Sequence, residues 1–129
     1  MKNKIDFFGI IVLISTIAFL ASSCDIFKDN FEAPTGVVVT KLSNNAIHVT
    51  WNKVEDAINY TIAYRSNLDS ADTRRDAGTS QITTFTHYYY VSTDVTTLYY
   101  YIKAHNLLYT WEEGYKVTGW SSPVSVNIK

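Results

Sequence analysis

Short runs of alternating apolar and polar residues fill most of this chain after residue 35, and they limit the folds open to it. In the clearest run, Ile47, Val49 and Trp51 share one face and His48 and Thr50 occupy the other. Such a run predicts a strand with one buried face, and no run has the 3.6-residue period of a helix. Turn-forming residues separate the runs. The predicted strands are residues 36–40, 46–51, 59–65, 81–86, 98–104 and 123–128, with the polar residues 69–78 as a loop or short edge strand.

Seven strands in a chain of 129 residues predict one all-β domain, an antiparallel β-sandwich of two sheets. Hydrophobic residues make up 47% of the sequence, which is enough to bury a core and argues against disorder. With one cysteine, the chain forms no internal disulfide. The core must therefore hold the sheets together.

The N-terminus has the pattern of an export signal. Lys2 and Lys4 precede an apolar run at residues 10–21, which is the length of a signal-peptide core and is short for a bilayer span. Small residues then lead directly to Cys24. Residues 20–24 resemble a bacterial lipobox, although Ala21 stands where leucine is usual. The resemblance implies that a lipoprotein signal peptide, residues 1–23, is removed and that Cys24 carries a lipid anchor.

Two other interpretations of this segment remain open. An ordinary signal peptidase could cleave after Ser23, or Cys24 could be a buried thiol of a domain that starts earlier. Residues 24–34 have no strand or helix period, so we predict that they form a tether and that the domain spans residues 35–129. Phe27 and Phe31 are the exceptions, since they could pack on the base of the domain.

Five strand patterns occur in an order and at spacings that resemble a fibronectin type III domain. They are Pro34-x-x-Val37-x-Val39, Ile47-x-Val49-x-Trp51, Tyr60-x-Ile62-x-Tyr64, Tyr100-x-Ile102-x-Ala104-x-Asn106 and Ser121-Ser122-Pro123-Val124-x-Val126. The resemblance covers residues 33–129 and implies an immunoglobulin-like sandwich of a three-stranded and a four-stranded sheet. The core is then expected to contain Trp51, almost wholly buried, with Ile47, Val49, Tyr60, Ile62, Tyr64, Tyr100, Ile102, Val124 and Val126.

The sequence departs from this family at one structural position. Leu98 stands where the family usually keeps a corner tyrosine, so the backbone hydrogen bond of that tyrosine is lost unless a bulge brings Tyr99 into its place. Three further tyrosines, residues 88–90, lie in the preceding link, and the sequence does not determine which of them enters the core.

No constellation for catalysis, metal binding or a cofactor is present. His48, His87 and His105 are far apart and have no carboxylate or thiol at ligand spacing. No nucleophile motif or phosphate-binding glycine loop occurs. With 11 basic and 12 acidic residues, the chain has no basic excess for nucleic acid. We therefore predict a protein that is not an enzyme.

The aromatic residues near the C-terminus are the candidate binding site. Residues 107–120 resemble an extended F-to-G hairpin of the family, with Gly114 at the positive φ of its turn. Trp111 and Tyr115 near the tip would be exposed, and exposed aromatics mark interaction surfaces. The polar rim would consist of Glu112, Glu113 and Lys116. The alternative is that the two aromatics stack across the hairpin and only brace it.

A second group of aromatic and basic residues shares the outward face of one predicted sheet. Tyr99, Tyr101 and Lys103 lie together on that face, and Arg65 belongs to it as well. Tyrosines form strands well, and the pattern favours that structural role over a ligand platform.

These features support two functional hypotheses. In the first, the protein is a membrane-anchored module outside the cytoplasm, periplasmic or on the cell surface, that binds a protein or glycan with its loops. In the second, it is a structural lipoprotein of the cell envelope that packs against an obligate partner. In both, the lipid on Cys24 attaches the protein to the cell membrane or the outer membrane.

Overall fold

The computed structural model describes residues 31–129, which contain seven strands and no helix. The predicted signal peptide, Cys24 and residues 24–30 of the predicted tether lie outside the described residues. The strands are β1 (Val38–Ser43), β2 (Ala46–Thr50), β3 (Asn59–Ser66), β4 (Arg75–Ser80), β5 (Thr84–Tyr88), β6 (Thr97–His105) and β7 (Val124–Asn127).

The strands form two antiparallel sheets, one in the order β1-β2-β5 and one in the order β4-β3-β6-β7. This is the predicted sandwich of three and four strands. The alternation within each strand sends one set of side chains between the sheets and the other set outward. Residues 75–80 form an edge strand, in agreement with the expectation for the polar segment.

The core forms where the predicted inward faces meet. Trp51 is 5% exposed and packs edge-on against Tyr60, with ring centroids 5.2 Å apart. Ile47, Val49, Tyr60, Ile62, Tyr100 and Ile102 are also buried, as predicted. Tyr89, Val95, Leu98 and Ala104 complete the buried cluster.

Three residues of the predicted core are only half-buried. Val124 and Val126 lie on β7, an edge strand of four residues that covers little of the inner face. Tyr64 lies near the end of β3 and packs on the His87 ring, with centroids 4.4 Å apart. One side of Tyr64 lines an open surface depression. The prediction that these three residues are buried in the core was therefore wrong, since each is only half-buried.

The strand ends also differ from the sequence pattern in two places. The first strand begins at Val38 rather than residue 36, because Gly36 has a φ of +63°. The fifth strand spans Thr84–Tyr88 rather than residues 81–86, and Ile82 is 64% exposed in the turn before it. In both places the turn geometry overrides the apolar pattern.

Leu98 is fully buried, and β6 pairs with β3 in an unbroken register from Ser66↔Leu98 to Asn59↔His105. No bulge therefore moves Tyr99 into the corner position. Instead, Tyr89 fastens that end of the sandwich. Its hydroxyl donates to the Asn44 carbonyl oxygen at 2.8 Å, in the turn between β1 and β2.

The compact unit begins at Phe31, so it includes four residues that the sequence pattern assigned to the tether. Phe31 packs against the core and Pro34 is buried. The Asn52 N–H donates to the Thr35 carbonyl oxygen at 2.9 Å, which places the entering chain beside the end of β2. Within residues 31–129, the chain has no helix that is long and apolar enough to cross a membrane.

Candidate interaction site

The candidate site is the β6–β7 loop, residues 106–116, which is held closed at its base by Asn106. The Asn106 side chain accepts from the Lys116 N–H at 2.6 Å and donates to the Gly114 carbonyl oxygen at 2.9 Å. The two main chains are joined as well, since the Asn106 N–H donates to the Lys116 carbonyl oxygen at 3.2 Å. Gly114 has a φ of +80°, as the predicted turn requires.

This loop differs from the predicted extended hairpin. Beyond His105 the β6 ladder continues only as a single bridge, His105↔Val117, and residues 106–116 form successive turns. The hairpin does not extend further because side-chain and main-chain hydrogen bonds inside the loop replace the cross-strand pairs. Glu112 contributes three of them. Its N–H donates to the Tyr109 carbonyl oxygen at 3.2 Å, and its carboxylate accepts from the Tyr109 N–H at 2.9 Å. Its carbonyl oxygen accepts from the Tyr115 N–H at 3.2 Å.

The exposed aromatic pair in the loop is Tyr109 and Trp111. Their rings stack with centroids 4.5 Å apart and an angle of 15° between planes. Tyr109 is 51% exposed and Trp111 78%, and Leu108 beside them is 43% exposed. A stacked pair of this size on a closed loop offers a flat apolar surface. Its side chains have few rotamers, so they lose little conformational entropy on binding.

Tyr115 lies apart from this pair. Its hydroxyl oxygen is 2.6 Å from His105 Nδ1, and Thr61 Oγ1 is 2.7 Å from His105 Nε2. Burial, together with the nearby Lys103 charge, lowers the pKa of His105. Tyr115 is half-buried by this contact and fastens the loop to the sheet.

The structure thus separates the residues that the sequence grouped together. Trp111 and Glu113 are exposed at the loop surface, whereas Glu112 is half-buried as a brace of the Tyr109 turn. Lys116 is exposed beside the loop base, where its main chain pairs with Asn106. Sequence reasoning missed Tyr109 as the partner of Trp111. The signal for it was the i, i+2 spacing of two aromatics within one turn.

No group of side chains that could hold a metal ion comes together in the part of the chain that the structure describes. Across residues 31–129 there is no cluster of three or more histidine, cysteine or acidic side chains. His87 is buried in the core, with Nδ1 2.8 Å from the Tyr100 hydroxyl. Desolvation lowers the pKa of His87, so its neutral form is favoured.

Comparison with solved structures establishes the fold. A Fn3-like protein from Clostridium thermocellum is similar, with a TM-score of 0.54 and 23% identity over 71% of this chain and 86% of that one. The FN1–FN3 domains of chicken CNTN1 give a TM-score of 0.58 and 18% identity, covering 74% of this chain and 30% of that one. The fn3 domain of human contactin 1 gives 0.52 and 21%, covering 74% and 76%. The chain has the fibronectin type III fold.

No family model and no curated protein matches the sequence. The chain spans 16% of the length of another similar structure, titin kinase and its flanking domains, so the likeness there concerns only a small part of a longer protein.

Proposed function

We propose that this protein is a lipid-anchored binding module outside the cytoplasm, which contacts a protein or a glycan through its β6–β7 loop. The observation that carries the proposal is the exposed Tyr109–Trp111 stack on a loop braced by its own hydrogen bonds. Large exposed aromatics on a fixed backbone are typical of the residues that dominate binding energy. Glu113 and Lys116 would form part of the polar rim, with Glu112 and Tyr115 holding the loop in shape.

The fold supports a binding or structural role more than a catalytic one. In a two-sheet sandwich the loops at each end are free of core packing, so they can vary and carry function. The export signal and the lipobox resemblance support the location. A lipid on Cys24 would attach the protein to the cell membrane or outer membrane.

The lipid anchor is tested by metabolic labelling with a fatty-acid analogue. Cys24→Ser is expected to abolish labelling and to release the protein from the detergent phase, because the thiol that accepts the lipid is gone. Ser23→Ala, a neighbouring change that keeps the thiol, is the matched control and should label normally. Equal detergent partitioning of Cys24→Ser and the parent protein would refute the anchor.

The binding site is tested with a Tyr109→Ala/Trp111→Ala variant of the full chain in detergent. We expect capture from a glycan array or an envelope extract to be lost while the melting temperature changes little, since both rings are largely exposed. Tyr90→Ala is the control: Tyr90 is 90% exposed on the loop before β6, at the other end of the sandwich. If the double variant loses stability and the parent captures nothing, the loop is structural and the second hypothesis, packing against an obligate partner, is favoured.

A further inference from the structure

The outer surface of the four-stranded sheet carries three cations stacked on aromatic rings, in a group that we call the cation face. It consists of Arg65, Arg74, Lys103, Tyr99, Tyr101 and Trp120. The Arg65 guanidinium carbon lies 3.9 Å from the Tyr99 ring centroid and that of Arg74 lies 3.7 Å from the Tyr101 centroid. Lys103 Nζ is 4.5 Å from the centroid of Trp120.

Tyr101 is 2% exposed although it points away from the core, and both arginines contact it. The Arg65 Nε–H also donates to the Tyr101 hydroxyl at 2.8 Å, and Arg74 Nη1 donates to the Ala71 and Thr73 carbonyl oxygens. The two guanidinium groups are therefore fixed in place before any ligand arrives. A fixed group loses little conformational entropy when it binds an oxyanion.

Within residues 31–129, the three charges on this face form no ion pair with a carboxylate. The ion pair found in residues 31–129 is Arg75–Asp69, at 2.7 Å, and it does not include Arg65, Arg74 or Lys103. Asp76 on β4 lies opposite Ala63 of the same sheet but forms no ion pair with them. The chain as a whole has a net charge of -1, so the cation face is a local concentration of positive charge.

Three members of the cation face lie in sequence along β6. Tyr99, Tyr101 and Lys103 follow one another at intervals of two residues on one face, and two residues of an extended strand span about 6.6 Å. Tyr99 and Lys103 are therefore about 13 Å apart along the strand, and the three cations lie on or beside this stretch. A single phosphate or carboxylate would reach one member, whereas a chain with repeated negative charges would meet all three.

We propose that the cation face binds an acidic polysaccharide, whose carboxylates accept hydrogen bonds from the unused N–H groups of Arg65 and Arg74 and pair with Lys103. This site is distinct from the β6–β7 loop, and it goes beyond the proposed function without resting on it. Guanidinium groups match carboxylates in shape as well as charge, since their planar forks donate two parallel hydrogen bonds.

Two other polyanions fit this face less well. Single-stranded nucleic acid is held by bases stacked on open aromatic faces, but here Arg65, Arg74 and Lys103 already lie over the three rings. Attraction to an anionic membrane grows with the number of basic residues, and firm binding adds inserted apolar side chains. None of the large hydrophobic residues exposed within residues 31–129 belongs to the cation face.

The test measures retention of the full chain, in detergent, on immobilised polygalacturonate, with neutral dextran as the reference surface. We expect binding at low ionic strength that is released by added salt, because exposed charge contacts are screened. Arg65→Gln/Arg74→Gln/Lys103→Gln should weaken the affinity about tenfold or more, because it removes all three donors. Lys41→Gln/Lys53→Gln/Lys129→Gln, which removes three charges elsewhere, is the matched control and should bind nearly as the parent does.

Circular dichroism and the melting temperature establish that each variant is folded. If the triple glutamine variant does not fold, Arg65→Lys/Arg74→Lys serves instead, since it keeps the charge and removes the planar fork; a clear loss of affinity is again expected. The proposal is overturned if the parent is not retained at low ionic strength or if the cation-face variants bind as the control does. It is also overturned if single-stranded DNA, phosphatidylglycerol vesicles or polyglutamate outcompete polygalacturonate.

Discussion

Trp51 spans the space between the sheets, and its indole N–H finds no acceptor among the described residues. Trp51→Ala should lower the free energy of unfolding by about 3 to 5 kcal/mol, because it leaves a large cavity against Tyr60. Trp51→Phe should cost clearly less, since a ring still fills part of the space and the unpaired N–H is removed. Urea unfolding measures both. A Trp51→Ala variant as stable as Trp111→Ala, in which an exposed ring is lost, would contradict this account of the core.

The buried His87 makes stability depend on pH. Desolvation lowers its pKa below the ordinary value of 6.5, so the folded form resists protonation where the unfolded form accepts it. The contribution of neutral His87 is therefore complete above that value and is lost as the pH falls below it, at up to about 1.4 kcal/mol per pH unit for each proton. The pKa of His105 is lowered as well, so this residue also makes the folded protein less stable as the pH falls.

Urea unfolding at a series of pH values between neutral and mildly acidic tests this dependence. His87→Phe should flatten the slope of stability against pH, even if the absolute stability also changes through the unpaired Tyr100 hydroxyl. An unchanged slope in this variant would show that another group causes the acid sensitivity.

At the scale of the elements, the β6–β7 loop depends on the backbone of Gly114. A side chain there would meet nothing within 4 Å, so the penalty for a substitution is conformational and comes from its φ of +80°. Gly114→Ala should destabilise the fold by about 1 to 2 kcal/mol. It should also speed amide hydrogen exchange at Lys116, whose N–H is held by Asn106. Gly119→Ala is the control, because Gly119 has no positive φ and equally open surroundings; equal effects of the two changes would refute the argument.

The elements also show how far the sequence determines this fold. Alternation predicts the inward residues of β2, β3 and β6 because one face of each strand is covered by the other sheet. It does not determine how much an edge strand such as β7 is covered, since that depends on its length. In the β6–β7 loop, the sequence identified the aromatic residues but not the residues that they contact. The bonds of Glu112 to Tyr109 and of Tyr115 to His105 decide which ring is exposed, and they connect residues that have no common periodicity.

At the scale of the whole molecule, the chain enters the sandwich at the end that carries the β6–β7 loop. Thr35 is bonded to Asn52 after β2, and the Ile58 N–H donates to the His105 carbonyl oxygen at the end of β6, at 2.9 Å. From Cys24 to Phe31 the chain can reach at most about 23 to 25 Å. If Cys24 carries a lipid, this reach limits how far the entry end of the domain can stand from the membrane surface, and so limits the room for a large partner at the loop.

A longer tether should relieve this constraint. With the protein anchored in vesicles, a flexible Gly/Ser spacer inserted before Phe31 should increase capture of a bulky partner, since the loop then stands farther from the headgroups. The same spacer in the Cys24→Ser protein should change nothing in solution, because no surface is present to crowd the loop. Binding to polygalacturonate should respond less, since the cation face lies on the flank of the sheet rather than at its end. Equal capture with and without the spacer on vesicles would mean that the partner approaches from the membrane plane or that the anchor lies elsewhere.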